Sequence, residues 1–302
     1  MNNNKSKITL ALFAMATLLW AVVAHAQGVP TGIAALQAQI TALQNQVKAQ
    51  QTQITSLHNQ LTAAQPVLAL AAFVSVDPNP ENGVAGPNIK FSGANIHILS
   101  GSGATDDNSS NGGALTGRGN LIIGYNETYT GQVVNRAGSH NLVIGRYNQF
   151  TSSAWGGLVA GEQNTISGPE DTVSGGYASS ASGFACSVSG GQGNIASDNG
   201  CSVSGGTSNH ASGFVCSVSG GQSNIASGDR STVSGGAWNT ASSGSYATVS
   251  GGWTNTASGF AATVSGGYTN SANGSYSVVI GGQSVTASNT NSIAPQNLSL
   301  FP

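Results

Sequence analysis

A fifteen-residue repeat dominates the C-terminal half of the chain and leaves few folds open to it. Most copies carry a Ser-Val-Ser-Gly-Gly or Thr-Val-Ser-Gly-Gly motif, whose valine we take as the anchor of the repeat. Short apolar positions that return at a constant interval, separated by glycine turns, are typical of a solenoid with one coil per repeat. The anchors, with one sixteen-residue step near Ser243, are Val173, Val188, Val203, Val218, Val233, Val249, Val264 and Val279. The sequence therefore predicts an all-β, parallel β-solenoid.

Two further positions recur in every regular copy or nearly so. An alanine follows the anchor by eight residues, at Ala181, Ala196, Ala211, Ala226, Ala241, Ala257, Ala272 and Ala287. An asparagine follows it by six, at Asn194, Asn209, Asn224, Asn239, Asn255 and Asn270. The valine and alanine columns predict a thin apolar interior, and the Ser or Thr residues beside each valine project to the other face of the strand. Stacked asparagine amides can hydrogen-bond from coil to coil.

Looser copies precede the regular array and set the expected domain boundaries. They lie at 96–101, 121–124, 142–145 and 158–161, and we interpret them as earlier coils with longer loops at 106–115 and 125–140. Loops of that length on a repeat array are candidate binding regions. We predict irregular coils over 88–165, regular fifteen-residue coils over 166–294 and a tail at 295–302.

The N-terminus has the order of features found in a secretory signal. Lys5 and Lys7 precede an apolar run at 8–24, and Ala24-His25-Ala26 is a small-x-small cleavage site that would leave Gln27 as the mature N-terminus. Residues 1–26 are therefore predicted to be a signal peptide of the Sec type, so the protein would be exported with no membrane span after cleavage. A retained transmembrane helix is the alternative, since the run is near the ~17-residue lower limit for spanning.

Residues 27–65 show the heptad spacing of a coiled coil. Apolar residues alternate at three and four positions, with Gln50 as the one polar member. The seam consists of Ile33, Leu36, Ile40, Leu43, Val47, Gln50, Ile54, Leu57 and Leu61. So narrow a seam favours self-association, whereas the alternative is a lone amphipathic helix packed on the solenoid. We expect Pro66 to end the helix and 66–87, rich in Pro, Asn and Gly, to form a linker.

Composition and motifs argue against catalysis. Charged residues are 6% of the chain, far below the usual share of about 25%. The net charge of −2 offers no basic patch for nucleic acid. Paired carboxylates, zinc spacings, a nucleophile elbow and a phosphate loop are all missing from the sequence. We therefore predict no catalytic residue, no cofactor and no metal.

Two columns remain as candidate sites. The position four residues after the anchor carries aromatic residues at Tyr177, Trp253 and Tyr268 beside the Gly-Gly turn, and glutamines in other copies. These aromatics would either form an exposed binding stripe or cover a neighbouring subunit. Cys186, Cys201 and Cys216 lie two residues before the anchor, on the same strand face as the valine. They would either fill the core as small side chains or form disulfides, within a chain or between subunits.

The motif resembles a known adhesin repeat in its least degenerate copies, Ser277-Val278-Val279-Ile280-Gly281 and Asn120-Leu121-Ile122-Ile123-Gly124. They are similar to the SVAIG-type repeat of YadA-like heads, from the trimeric autotransporter adhesins and haemagglutinin-like proteins of Gram-negative bacteria. The resemblance covers about 96–294. It implies a left-handed β-roll, three of which assemble side by side. In that family the head precedes the stalk and a membrane β-barrel, whereas here the coiled coil precedes the repeats, so we do not carry over a barrel anchor.

Together these features predict an exported, non-enzymatic, adhesin-like protein that displays a β-roll head for attachment to a host or matrix surface. We expect a homo-oligomer. The resemblance favours a trimer, whereas β-branched residues at heptad position a with Leu at d favour a dimer. Two other functions fit the repeat: ice binding by the regular hydroxyl columns, and a structural fibre or matrix subunit.

Overall fold

The computed structural model describes residues 13–19 and 30–295, which divide into two compact units at Asn95 and Ile96. In the first unit, helix α1 spans Pro30–Ala69, residues 13–19 are also helical, and a 3-10 turn at Leu70–Ala72 follows α1. Strands β1 (Val74–Asp77) and β2 (Asn88–Phe91) then pair as an antiparallel hairpin. Lys90 stabilises the hairpin through ion pairs to Asp77 at 3.0 Å and Glu81 at 2.7 Å.

The long N-terminal helix is confirmed, but the prediction that Pro66 ends it was wrong. Pro66 lies inside α1, which continues to Ala69. A proline inside a helix loses one hydrogen bond and its ring crowds the carbonyl of residue i−4, but Pro66 lies so near the C-terminus that only a single turn of α1 follows it. The segment predicted as a linker, 66–87, contains the end of the helix, the 3-10 turn and β1.

The second unit is the predicted parallel β-solenoid, with coils of about fifteen residues over 142–294. Its strands form two parallel sheets, so each regular coil contributes one strand to each. The 12-stranded sheet contains β3 (Leu121–Ile123), β4 (Leu142–Arg146), β6 (Leu158–Glu162), β8 (Thr172–Val173), β10 (Ser187–Val188), β12 (Ser202–Val203), β14 (Ser217–Val218), β16 (Thr232–Val233), β18 (Thr248–Val249), β20 (Thr263–Val264), β22 (Val278–Val279) and β24 (Ile293–Ala294). The 10-stranded sheet contains β5 (Gln149–Phe150), β7 (Thr165–Ile166), β9 (Ser180–Ala181), β11 (Ile195–Ala196), β13 (His210–Ala211), β15 (Ile225–Ala226), β17 (Thr240–Ala241), β19 (Thr256–Ala257), β21 (Ser271–Ala272) and β23 (Thr286–Ala287).

The register follows the repeat, because each anchor valine pairs with the next anchor and each column alanine with the next alanine. The eight anchor valines are fully buried, and so are the column alanines down to Ala287, which is 2% exposed. The predicted valine and alanine interior is thus confirmed. The extra residue near Ser243 falls in a turn, so Val233 still pairs with Val249 and Ala241 with Ala257.

The asparagine column forms the predicted ladder of buried amides. Each Oδ1 accepts a hydrogen bond from the backbone N–H of the equivalent residue one coil later, as from Asn239 to Asn224 at 3.0 Å. Each Nδ2 donates to two glycine carbonyls, as from Asn224 to Gly220 at 2.8 Å and to Gly236 at 2.9 Å. The ladder therefore closes the turn within each coil and also joins it to the next coil.

One glycine position in each coil has no substitute. The second residue of the Gly-Gly pair has a left-handed backbone, with φ of 86° at Gly206. A Cβ on Gly206 would collide with the carbonyl oxygen of Gly221 in the next coil. The recurrence of glycine follows from this close approach of stacked turns.

The earliest expected coil is absent, so that prediction was wrong. Residues 96–101 form no strand, and Ile96 and Leu99 are exposed. The backbone N–H of Ser100, which a β-ladder would need, donates instead to Nε2 of His140 at 3.1 Å. Within the described residues, the first strand of the solenoid is β3.

Candidate functional surfaces

The position four residues after the anchor forms a continuous exposed line along one edge of the solenoid. Its members pair from coil to coil as single parallel bridges between Glu162 and Gln283. Tyr177, Trp253 and Tyr268 are 41%, 48% and 50% exposed. We call this line, with the exposed glutamines Gln192, Gln222 and Gln283, the corner stripe.

Trp238 also belongs to this edge, although it lies outside the repeat position that predicted the stripe. It lies five residues after its anchor, and its positive φ of 52° directs the chain through the same turn. Its ring centroid is 4.4 Å from that of Trp253. The neighbouring Tyr268 extends the cluster, so the stripe is richest in aromatic surface near its C-terminal end.

A second aromatic row, also not predicted from the sequence, follows the other turn of each coil, between the alanine strand and the next valine strand. Phe260 packs edge-on against Tyr246 and Tyr276, with centroids 5.8 and 5.4 Å apart. Arg230 lies over the rings of Phe214 and Tyr246 at 5.3 and 5.5 Å. In the sequence, this second row corresponds to aromatic residues three or four positions before the anchor valine.

The outer face of the 12-stranded sheet carries hydroxyl groups in two columns. The residue before each anchor is Ser or Thr from Thr172 to Thr263 and is half-buried, whereas the serine after it is exposed. Neighbouring coils repeat this pattern at about 4.8 Å, the spacing between paired strands. The pattern ends at Val278 and Ile280, where apolar residues replace the hydroxyls.

The three cysteines occupy one interior column and are present as free thiols. Cys186, Cys201 and Cys216 are each 1% exposed. Sγ of Cys201 lies 3.2 Å from Sγ of Cys216. Hydrogen bonding to Cys201 and burial raise the pKa of the Cys186 and Cys216 thiols above the ordinary value.

Asp171 occupies the same column one coil earlier and is fully buried. Its carboxylate accepts hydrogen bonds from the backbone N–H groups of Gly168 at 2.7 Å and Cys186 at 3.0 Å. Burial raises the pKa of Asp171 to about 6, because the two hydrogen bonds only partly offset the loss of solvent. Asn141 performs the same coil-to-coil role earlier in the column, accepting from Gly157 N–H at 2.9 Å.

A serine, an aspartate and a histidine meet in the irregular region, but not in the arrangement of a catalytic triad. The Ser100 hydroxyl donates to Asp107 rather than to His140, so the imidazole is not placed to take its proton. His140 Nε2 instead accepts from the backbone of Ser100, and its Nδ1 has no hydrogen-bond partner among the described residues. Burial alone would raise the pKa of Asp107, but hydrogen bonds from Ser100, Thr116 and neighbouring hydroxyls hold it well below its usual range. The hydrogen bonds of Asp107 to Ser100 and Thr116 hold the loop at 106–115 in place.

The heptad seam of α1 is uncovered in the single chain. Its largest side chains are mostly more than half exposed, including Leu36 at 56%, Leu43 at 59% and Leu57 at 63%, while Ile33 and Ile40 are half-buried. The predicted cleavage residues Ala24, Ala26 and Gln27 lie outside the described residues. Along the part of the chain that is described, no helix combines the length and apolarity needed to cross a membrane. The described residues also contain no group of three or more His, Cys, Asp or Glu residues suited to a metal ion.

These features define the class of protein: a parallel β-solenoid repeat protein with a long N-terminal helix and two exposed aromatic edges. The comparisons with known proteins add no family to this class. No protein-family model matches the chain, and no curated protein matches it.

Proposed function

We propose that the chain is an exported, non-enzymatic attachment protein, in which α1 forms an oligomeric stalk and the solenoid forms a rigid head. The corner stripe carries the proposal, because solvent-exposed aromatic and amide groups repeat along one straight edge. The resemblance to YadA-like heads supports the same function, with a host or matrix surface as the target. The charge-then-apolar N-terminus supports export to the surface of a Gram-negative-type bacterium or into its medium.

Oligomerisation is supported by the uncovered seam. A helix gains most of its stability by packing an apolar face, and α1 leaves Leu36, Leu43 and Leu57 in solvent. Sedimentation of the mature protein with and without residues 27–65 tests this part. We expect a dimer or trimer that dissociates when the segment is removed. A monomer in both forms would contradict the stalk.

The chemistry of the stripe favours an uncharged partner. Glu162, at the start of the stripe, is ion-paired with Arg146, and from residue 172 to the last described residue the only formal charges are Asp198, Asp229 and Arg230. Aromatic faces with adjacent amides suit contact with apolar and hydroxyl-bearing groups, since neither needs a counter-charge. The proposed ligands are therefore neutral matrix proteins or glycans.

Binding to immobilised matrix proteins and glycans tests attachment. Replacing Tyr177, Trp253 and Tyr268 together by Ser should lower affinity by at least about tenfold, the loss of about 1.4 kcal/mol. The matched control replaces the same number of exposed aromatics on the other edge, Phe184, Phe214 and Phe260, and should leave binding unchanged. Equal loss in both variants, or none in either, would overturn the assignment of the stripe.

Ice binding is a second candidate, favoured by the two hydroxyl columns on the 12-stranded sheet. A thermal-hysteresis assay with inspection of crystal shape separates the candidates. Hysteresis that survives the stripe variant would support ice binding and contradict attachment through the stripe. A fibre or matrix subunit would instead show concentration-dependent filaments by electron microscopy.

A further inference from the structure

The cysteine column places three thiols on three adjacent coils of one interior row. The sulfurs stand in one row, fifteen residues apart in the chain, and only adjacent coils bring two of them together. Paired strands at about 4.8 Å lie within the Cα range that a disulfide can bridge. Cys186 and Cys216 are two coils apart, so they cannot reach each other. Any disulfide within one chain must therefore include Cys201.

The hydrogen bonds of the thiols distinguish the two pairs that remain. Cys186 donates to the carbonyl of Asp198 at 2.7 Å and Cys201 to that of Gly213 at 2.8 Å. Cys216 makes the longest of the three bonds, to Ala226 at 3.2 Å. The hydrogen-bond contact between two sulfurs joins Cys201 to Cys216, at 3.2 Å, and therefore favours this pair.

We infer that Cys201 and Cys216 are an oxidation site that forms one disulfide per chain, with Cys186 left as a buried thiol. The 3.2 Å separation of their sulfurs leaves a closure of little more than 1 Å to the ordinary S–S length of about 2.05 Å. The reaction is exchange with a disulfide oxidant, such as oxidised glutathione or an oxidoreductase. Two thiols form one S–S bond, and the oxidant takes up two electrons and two protons to become two thiols.

Burial then protects the pairing once it has formed. Cys186, Cys201 and Cys216 are each only 1% exposed, so a thiol in solution has little access to the disulfide. The disulfide closes a fifteen-residue loop and clamps two adjacent coils near the middle of the array.

Peptide mapping without reduction tests this inference on the full chain, refolded with oxidised glutathione. Cleavage before aspartate and after aromatic residues separates the three cysteines into the peptides 185–197, 198–214 and 215–228. We expect 198–214 linked to 215–228, and one alkylated thiol per chain, which rises to three after reduction. Three thiols without reduction, a predominant 185–197 to 198–214 link, or a link between chains would overturn it.

Two variants isolate the role of the central sulfur. Cys201→Ser should leave two alkylated thiols and no crosslink, whereas Cys186→Ser should keep the crosslink and leave no thiol. A disulfide that persists in Cys201→Ser would contradict the geometry. Because oxidation is performed in vitro, its failure is separate from a failure of attachment or export.

Discussion

The buried asparagine ladder makes the sharpest stability prediction, and Asn224 is its best test position. Replacing Asn224 by Ala removes three hydrogen bonds, those to the Asn239 N–H and to the Gly220 and Gly236 carbonyls. The Gly236 carbonyl keeps a second donor, the N–H of Gln222 at 3.0 Å. Two groups are then left without a partner: the Asn239 N–H and the Gly220 carbonyl.

The expected magnitude follows from those two groups. Each unpaired buried polar group costs about 1–3 kcal/mol, so Asn224→Ala should lower the free energy of unfolding by about 2–6 kcal/mol. Partial access of Gly220 to water places the result in the lower half of that range. The exposed Ser219, replaced by Ala, is the control and should change stability by less than about 0.5 kcal/mol.

An earlier coil of the chain carries a serine at the asparagine position and so suggests an intermediate variant. Ser179 occupies the asparagine position of an earlier coil, where its Oγ accepts from Asn194 N–H at 3.2 Å. Asn224→Ser should therefore restore an acceptor for Asn239 and recover about 1–2 kcal/mol of the loss. The order of stability should be wild type, then Ser, then Ala.

Urea unfolding followed by circular dichroism measures the order, at one fixed protein concentration because association shifts apparent stability. Hydrogen exchange reports the local effect: the Asn239 amide should lose protection in Asn224→Ala and keep most of it in Asn224→Ser. A loss below about 1 kcal/mol for Asn224→Ala, or equal losses for Ala and Ser, would refute the ladder argument.

Three further predictions concern the core, the buried carboxyl and the stalk. Val218→Ala should destabilise the solenoid by about 2 kcal/mol in urea unfolding, whereas Ser219→Ala on the outer face should be nearly neutral. The folded pKa of Asp171, about 6, exceeds its unfolded value of 3.8, so its contribution to stability is full below pH 3.8 and is lost as pH rises through 6. Urea midpoints from pH 3.5 to 7 should show this fall, by about 1–3 kcal/mol, and Asp171→Asn should abolish it; a fall that persists would contradict the assignment. Gln50→Leu should raise the melting temperature of the oligomer, because a polar seam residue costs stability, and an unchanged value would place Gln50 outside the interface.

The fifteen-residue repeat predicted most of the solenoid and one of its two aromatic edges, the corner stripe. The fifteen-residue period places Val203 beside Val218 and Asn209 beside Asn224, since parallel coils of equal length stack in register. The corner stripe at Tyr177, Trp253 and Tyr268 followed from the same period. The second aromatic row does not follow from the period, because its members fall at two different positions of the repeat and only the turn geometry brings them together.

By itself, the sequence determined the fold class, because a repeating pattern of valine, alanine, asparagine and glycine can be buried consistently only in stacked coils. It also determined the position of the long helix through the heptad spacing. Features that do not repeat along the chain were decided only by the tertiary structure. Residues 96–101 look like a strand, yet Ser100 bonds to His140 and Asp107 instead of to a neighbouring strand. Likewise, the approach of the Cys201 and Cys216 sulfurs to 3.2 Å depends on side-chain directions inside the coil, which spacing along the chain does not specify.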